Sequence, residues 1–335
     1  MNQTSPLFSP LACLCALGLV ACGPEPAQSN EPFGILNDSF PLLVHGWDGA
    51  QFTIETVPRR ILPLNAGAVD ALVALTGPER LVALPSLAAE YSTFPADAEA
   101  WLSLPQFSEI SAAAILAFEP DLVIGHEWQA KSAAAYLRQA GVAVLILPMP
   151  TTFDDVSREI DILGRVIDAS SEATALLTQL ERRRAALRTG AEKRSFVRVL
   201  GYSNYGTGGW AAGADTTCDI TISLAGMRNA ARDVGLENFN EIDYELLLRL
   251  DPDLILVEVE EGGVAGPTES LLLGEAPLKG LSALSTGGLV RLPRRLNSTT
   301  SLRMLDAAER LADAADKWLE DAALAASREP QRLRD

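Results

Sequence analysis

Between residues 151 and 190 the apolar positions pass from one helical phase to another. Phe153, Val156, Ile160, Leu163 and Ile167 recur at helical spacing behind Thr152, an N-cap with Asp155 three residues on. The phase breaks at Asp168-Ala169-Ser170, where Ser170 reads as a second cap with Glu172 in the new first turn. Ala173, Leu176, Leu177, Leu180 and Leu187 then form one stripe. Arg182, Arg183, Arg184 and Arg188 crowd the C-terminal turns, which suits the helix macrodipole, and Gly190 is the stop. At ~1.5 Å per residue this second helix spans roughly 27 Å, enough to cross between two compact bodies.

The same short pattern lies on either side of it. Residues 112–124 and 244–256 each read as a brief apolar helix, then an acidic residue-Pro-Asp, then a wholly apolar β run. Pro120 and Pro252 end the helices, because proline cannot continue one and disfavours α at the residue before it. Unbroken apolar runs suit parallel strands covered on both faces. The unit recurs 132 residues apart, Pro120 to Pro252, too far for a solenoid. The expected fold is α/β: two similar lobes with parallel-type sheets joined by a single long α-helix.

Other elements fill the two lobes. Alternation over 42–57 around Asp48-Gly49 predicts a β-hairpin. A strand at 61–64, a helix at 66–75 stopped by Gly77-Pro78 and a strand at 81–84 follow. Next come a loop with Tyr91, Phe94 and Pro95, a helix at 131–140 and a strand at 142–147. Beyond the linking helix, a strand at 196–202 runs into a glycine- and aromatic-rich loop over 203–213, and a helix at 217–225 stops at Gly226. An acidic loop (Glu258, Glu260, Glu261), the stretch 262–285, a strand at 289–292 and a helix at 302–319 complete the lobe, with a fraying charged tail from Ala325. The boundaries predicted are an N-terminal lobe at 39–168, the linking helix at 169–190 and a C-terminal lobe at 191–335.

Composition narrows the class. A chain of 335 residues has room for two ordinary domains, and 48% hydrophobic with 21% charged residues describes a globular protein. A net charge of −17 argues against nucleic acid, whose phosphates call for a basic surface, and reads as solubility. Residues 11–21 (LACLCALGLVA) form an apolar run of signal-peptide length, too short to span a bilayer alone. The run ends in Leu19-Val20-Ala21-Cys22-Gly23, which resembles the lipobox of bacterial lipoproteins. That resemblance implies cleavage before Cys22 and a lipid on its thiol, with 1–21 as signal peptide. Residues 22–38 are then a flexible tether, polar and proline-rich over 23–32. No Lys or Arg precedes the run, a departure from the usual positive n-region. Cys218 would then stand alone, which excludes an internal disulfide and a multi-cysteine metal site and makes it a small buried residue. No other stretch is long and apolar enough to cross a membrane.

Several segments taken in series carry a family resemblance: Pro58-Arg-Arg-Ile-Leu-Pro-Leu64, Glu79-Arg-Leu-Val-Ala83, Phe118-Glu-Pro-Asp-Leu-Val-Ile-Gly125, Gly141-Val to Pro148, Leu224-Ala-Gly-Met-Arg-Asn-Ala230 and Asp251-Pro-Asp-Leu-Ile255. They resemble, in order, the periplasmic substrate-binding proteins of ABC importers for cobalamin, ferric siderophores and haem. The resemblance implies two α/β lobes bridged by one rigid helix, with ligand clamped in the cleft between them and little hinge closure. It implies a binding protein and not an enzyme, without a cofactor, monomeric and held in the periplasm or cell envelope through Cys22. Its partners would be an ABC permease with its ATPase. A ferric siderophore comes first as ligand, with cobalamin or haem behind it.

In open parallel α/β sheets ligands sit beyond the carboxyl ends of the strands. On that rule the N-terminal lobe offers Asn65 with Ala66-Gly67, the loop 87–94 with Tyr91 and Phe94, and His126-Glu127-Trp128. The C-terminal lobe offers Tyr202, Tyr205 and Trp210, Glu258 in the acidic loop, and 294–298 with Arg295 and Asn297. Trp128, Tyr205 and Trp210 are suited to packing a large planar or cage-like ligand while offering a polar handle; packing within a lobe is the plainer use of each. His126, one of two histidines, is either a hydrogen-bonded structural residue or a ligand contact, and so few histidines argue against a zinc or manganese site. Arg294 and Arg295 either meet carboxylates of the ligand, pair with Glu258 and Glu260, or form a solvated face. In the family one surface glutamate per lobe meets permease arginines. The C-terminal position falls on Glu245 and the N-terminal one on Ala113, with Glu109, one helical turn earlier, as the substitute.

Two other functions are open to a chain of this kind. For an enzyme, Gly201-Tyr-Ser-Asn-Tyr-Gly206 has the wrong spacing for a nucleophile elbow, and Gly206-Thr-Gly-Gly209 is neither a P-loop nor a dinucleotide fingerprint. A His-based hydrolase would need His45 or His126 beside a nucleophile. An envelope sensor or scavenger of the same fold, without its own permease, is kept open by Ala113.

Overall fold

The computed structural model describes residues 33–332 except Asp97, Thr207 and Ser298; the expected signal peptide, most of the expected tether and Cys22 lie outside the described residues. The apolar runs form two separate sheets. In the first half Ile61–Pro63, Leu122–His126 and Ala143–Leu147 pair in parallel in that order, and every residue of the middle strand is buried. In the second half Arg198–Asn204, Leu254–Val259 and Leu289–Pro293 are parallel neighbours. A small antiparallel sheet of Gly34–Ile35, Leu42–His45 and Gln51–Ile54 contains the expected hairpin, turned at Gly49 with φ 78°.

The second sheet corrects one expectation. Residues 203–213 are not a continuous loop: the chain reverses after Asn204 and returns as Gly209–Ala212, antiparallel to Arg198–Asn204, with Phe239–Ile242 antiparallel beyond it. Glycine and aromatic residues gave this segment no alternating pattern, and its strand character comes from partners supplied by the rest of the sheet. The helix expected at 131–140 likewise begins earlier, at Glu127, directly off the strand end at His126. The terminal helix runs Met304–Arg332, past the expected stop at 319.

The helix Phe153–Val166 opens with the predicted capping box. The Thr152 hydroxyl accepts the Asp155 N–H at 3.2 Å, and the Asp155 carboxylate accepts the Thr152 N–H at 2.8 Å. Ser170 is not a cap. The chain turns at Asp168 with φ 57°, Ala169 is the capping residue without a side-chain bond, and Ser170 is the first residue of the linking helix Ser170–Thr189. That helix buries Ala173, Leu180 and Leu187 and packs against Ala66–Leu75 of the first half, Thr217–Leu224 of the second and the terminal helix. One hydrophobic cluster runs from Leu72 and Ile160 through Leu180 and Leu187 to Val199, Ile220 and Leu305. The linking helix is therefore embedded in a shared core, and swinging one half against the other would expose apolar surface at roughly 25 cal/mol per Å².

The end of that helix has a specific cause. Gly190 has φ −98° and ψ 0°, outside the left-handed region. A Cβ at Gly190 would lie 2.5 Å from Nη1 and 3.1 Å from Cζ of Arg194, so any side chain there would have to push aside a buried guanidinium.

A buried carboxylate joins the first helix to the chain's last crossing. Asp70 is fully buried and accepts the Ser301 hydroxyl at 2.7 Å and the Thr93 N–H at 2.8 Å. Burial raises its pKa to about 6, against the lowering effect of those bonds and of Arg303. The folded state therefore binds this proton more tightly than the unfolded chain, and stability falls as pH rises from about 4 to about 6. We expect Asp70 to make the protein more stable at pH 5 than at pH 7 by about 1 kcal/mol. Asp70→Asn should flatten that difference in urea unfolding at the two pH values; an unchanged pH dependence would show that Asp70 is not its source.

Candidate ligand cleft

The carboxyl ends of the parallel strands open on a cavity of about 350 Å³. Leu64 to Gly67 follow Ile61–Pro63, Ser86 to Ala88 follow Leu84–Pro85, and His126 ends Leu122–His126. From the second half, Arg294, Arg295 and Asn297 follow Leu289–Pro293 and close the opposite wall with Thr300. Two larger grooves lie elsewhere. One of about 830 Å³ runs along the linking and terminal helices, and one of about 840 Å³ beside Glu241, Glu245 and Glu275 is confined to the second half. The smaller cavity is the candidate ligand cleft because it draws strand-end loops from both halves, where ligands sit in open α/β sheets.

Its floor is polar and braced. Asn65 caps the helix Ala66–Leu75 through the Ala68 N–H (2.8 Å), donates to Gln129 Oε1 (2.8 Å) and lies 3.4 Å from His126 Nδ1. His126 is 2% exposed, and its Nε2 lies 3.7 Å from Glu159 Oε1. Both ring nitrogens thus face protein groups, the arrangement of a positioned structural imidazole and not of an axial metal donor. Burial raises the Glu159 pKa, which His126 partly offsets, and its Oε1 has no hydrogen-bond partner among the described residues.

The walls are aromatic and ionic. Trp128, in the first turn of the helix Glu127–Gln139, is 68% exposed and lines the cleft, its indole N–H 3.3 Å from Met149 Sδ. Tyr91 lines it too, with the Arg294 guanidinium 5.8 Å from its ring centroid. Arg294 donates to Glu90 (2.7 Å) and to Glu258 (3.0 Å), whose other oxygen accepts from Asn297 (3.3 Å). These carboxylates hold the guanidinium pKa above its usual value. Burial raises the Tyr205 pKa, with Glu258 and Tyr91 adding and Arg294 opposing.

Asn65, Tyr91, His126, Trp128, Arg295 and Asn297 therefore come together as lining residues. Five of the expected ligand contacts are placed otherwise, among them Tyr205, which is exposed and outside the lining. Phe94 packs on the core 6.2 Å from the Trp101 ring, and Tyr202 is buried within the second half with its hydroxyl accepting from Asn204. Trp210 sits on the antiparallel strand Gly209–Ala212, outside the cleft lining, for the reason that 203–213 is not a loop. Glu258 reaches the cleft through Arg294 instead of lining it. Sequence reasoning missed Glu159, whose position amid the apolar face of 153–166 was a legible signal, and Glu90, Gln129 and Thr300, which carried none.

Glu245 is exposed at the second position of the helix Tyr244–Leu250, and Ala113 is exposed at the same position of Ala112–Leu116. Glu109 is exposed but not on that helix: it precedes the cap Ser111, outside any helix or strand. Cys218 is buried, and burial pushes its thiol up to about 12.

With this geometry in hand, the profile of the periplasmic binding protein family matches residues 62–296. The chain belongs to that family. This periplasmic binding protein is 23% identical over 307 residues to a cobalamin-binding protein of Halobacterium salinarum, covering 90% of this chain and 82% of that one. It superposes on an ABC-type Fe3+-hydroxamate transport protein of Saccharomonospora viridis with a TM-score of 0.68 and 26% identity, over 82% of this chain and 99% of that one. The periplasmic haem-binding protein RhuT of Roseiflexus sp. RS-1 follows with a TM-score of 0.64 and 27% identity, over 77% and 99%. Membership makes the protein an extracytoplasmic binding protein of ABC transport and not an enzyme, binding its ligand without a cofactor.

Proposed function

We propose that the protein captures a bulky, already chelated metal complex in the cleft and delivers it to an ABC permease. The observation that carries this reading is the preformed, aromatic-walled cavity at the strand ends, held open by a core continuous across the linking helix. Among the described residues no group of three or more His, Cys, Asp or Glu is placed to hold a metal ion, so recognition would act on the organic periphery of a chelate. The names of the relatives point the same way: cobalamin, a ferric hydroxamate and haem. We further propose a monomer tethered to the membrane by a lipid on Cys22, supported by the Leu19-Val-Ala-Cys22 sequence. The lobe boundaries near 168 and 190 belong to the same proposal. Titration of intrinsic tryptophan fluorescence with cyanocobalamin, a ferric trihydroxamate and haemin tests it; a flat response to all three would defeat it.

Glu245 is the proposed contact for permease arginines, supported by its exposure at the head of a helix. Glu245→Arg should cut uptake in cells about tenfold or more while ligand affinity is unchanged, because reversing a charge at a contact turns attraction into repulsion. Uptake equal to wild type would remove Glu245 from the contact. A second reading, an envelope sensor or scavenger without a permease, is favoured by one observation: Ala113 stands where the first half would offer its carboxylate.

A further inference from the structure

The charged groups around the cleft are matched in an unusual way for a site containing arginines. A guanidinium in a ligand cleft ordinarily serves as a receptor for carboxylate or phosphate, through its planar fork of donors. Arg294 is already engaged on two edges: Nη1 by Glu90 from the first half at 2.7 Å, and Nε by Glu258 from the second at 3.0 Å. The Tyr91 ring lies against the guanidinium, and Asn297 braces Glu258. Arg295 lines the same wall, so Glu90, Glu258, Arg294 and Arg295 sum to a formal charge of zero. The remainder of the lining near them is apolar or neutral, including Leu64, Leu87, Ile110 and Trp128.

A guest carboxylate against this wall would have to share Arg294 with Glu90 and Glu258, on the guanidinium N–H groups they leave over, or displace one of them. Either way these carboxylates would stay close to the new anion, and like charges brought together are a repulsive element of the kind that gives specificity. Resting on the chelate-binding reading above, we propose that Glu90 and Glu258 are specificity-determining residues that neutralise Arg294 and select a metal chelate with no net negative charge. A corrinoid or a ferric trihydroxamate fits that class; haem with its propionates or ferric citrate does not.

Equilibrium titration of wild type, Glu90→Gln and Glu258→Gln with cyanocobalamin and a ferric trihydroxamate as neutral probes, and haemin and ferric citrate as anionic ones, tests this. Each is run at about 0.05 M and about 0.5 M salt, which changes screening without changing packing. Wild type should bind a neutral probe at least ~10-fold more tightly than either anionic probe, with little salt dependence. Glu90→Gln and Glu258→Gln should each narrow that ratio by ~10-fold, through anion binding that weakens at high salt, a response a purely structural role would not produce. Glu90 is half exposed and its variant keeps an isosteric side chain, so folding is not at stake. Tighter binding of an anionic probe by wild type, or a ratio unmoved in both variants, overturns the proposal while leaving chelate binding intact. Binding of none of the probes overturns the chelate reading and this proposal with it.

Discussion

Arg194→Ala lowers the unfolding free energy by about 3–5 kcal/mol, the range for removing one partner of a buried ion pair. Arg194 is 3% exposed and joins three helices at once. Its Nη2 donates to the Leu187 carbonyl in the last turn of the linking helix, and Nε donates to the Ala225 carbonyl that ends Thr217–Leu224, both at 2.9 Å. Nη1 meets both oxygens of Asp316 on the terminal helix at 3.1 Å. A cation at two helix C-termini is favourable in its own right, and its loss leaves two carbonyls without this donor. Lysine cannot replace the fork, so Arg194→Lys should still cost about 1–3 kcal/mol. Arg188→Ala is the control: its pair with Glu181, at 3.1 Å, is exposed, and such pairs contribute at most about 1 kcal/mol. Urea unfolding of the three variants decides the matter, and an Arg194→Ala value within about 1 kcal/mol of wild type would remove Arg194 from its place at the junction.

On the proposed reading, Trp128→Ala should weaken chelate binding by ~30- to 100-fold, the loss typical of a central aromatic anchor. The indole is mostly exposed and lines the cleft, so its removal takes contact area from the ligand and little from the core. Trp210→Ala supplies the comparison, because Trp210 is 42% exposed yet stands outside the lining on Gly209–Ala212. It should change affinity by less than ~3-fold, within the neutral class of contact residues. Calorimetric titration of both variants with the probe that wild type binds best reads the contrast. A larger loss at Trp210 than at Trp128 would move the ligand toward the second sheet and away from the cavity described here.

Much of this arrangement was legible before any coordinates. The capping box at Thr152 and Asp155, the stripe Ala173, Leu180 and Leu187, and the parallel runs after Pro120 and Pro252 are local periodicities, which depend on residues a few positions apart. The strand-end rule reached Asn65, His126, Trp128, Arg295 and Asn297 because it follows from topology alone. It failed at Trp210 and Tyr202, where it was applied to a segment that the sheet draws into strands. Gly190 shows a different limit: its glycine reads as a helix stop, while the close approach at its Cα comes from a guanidinium four residues on.

The amino-acid sequence by itself therefore determined the two repeated α/β halves, the helix between them and the family, since hydrophobic period and capping are local properties of the chain. Only the tertiary structure decided which side chains share the cleft. Glu90 meets Arg294 across 204 residues and Ser301 meets Asp70 across 231, and no pattern within a single element encodes such a pairing. It exists because packing the two halves on one core brings their loop ends within hydrogen-bonding reach, where the charges must balance.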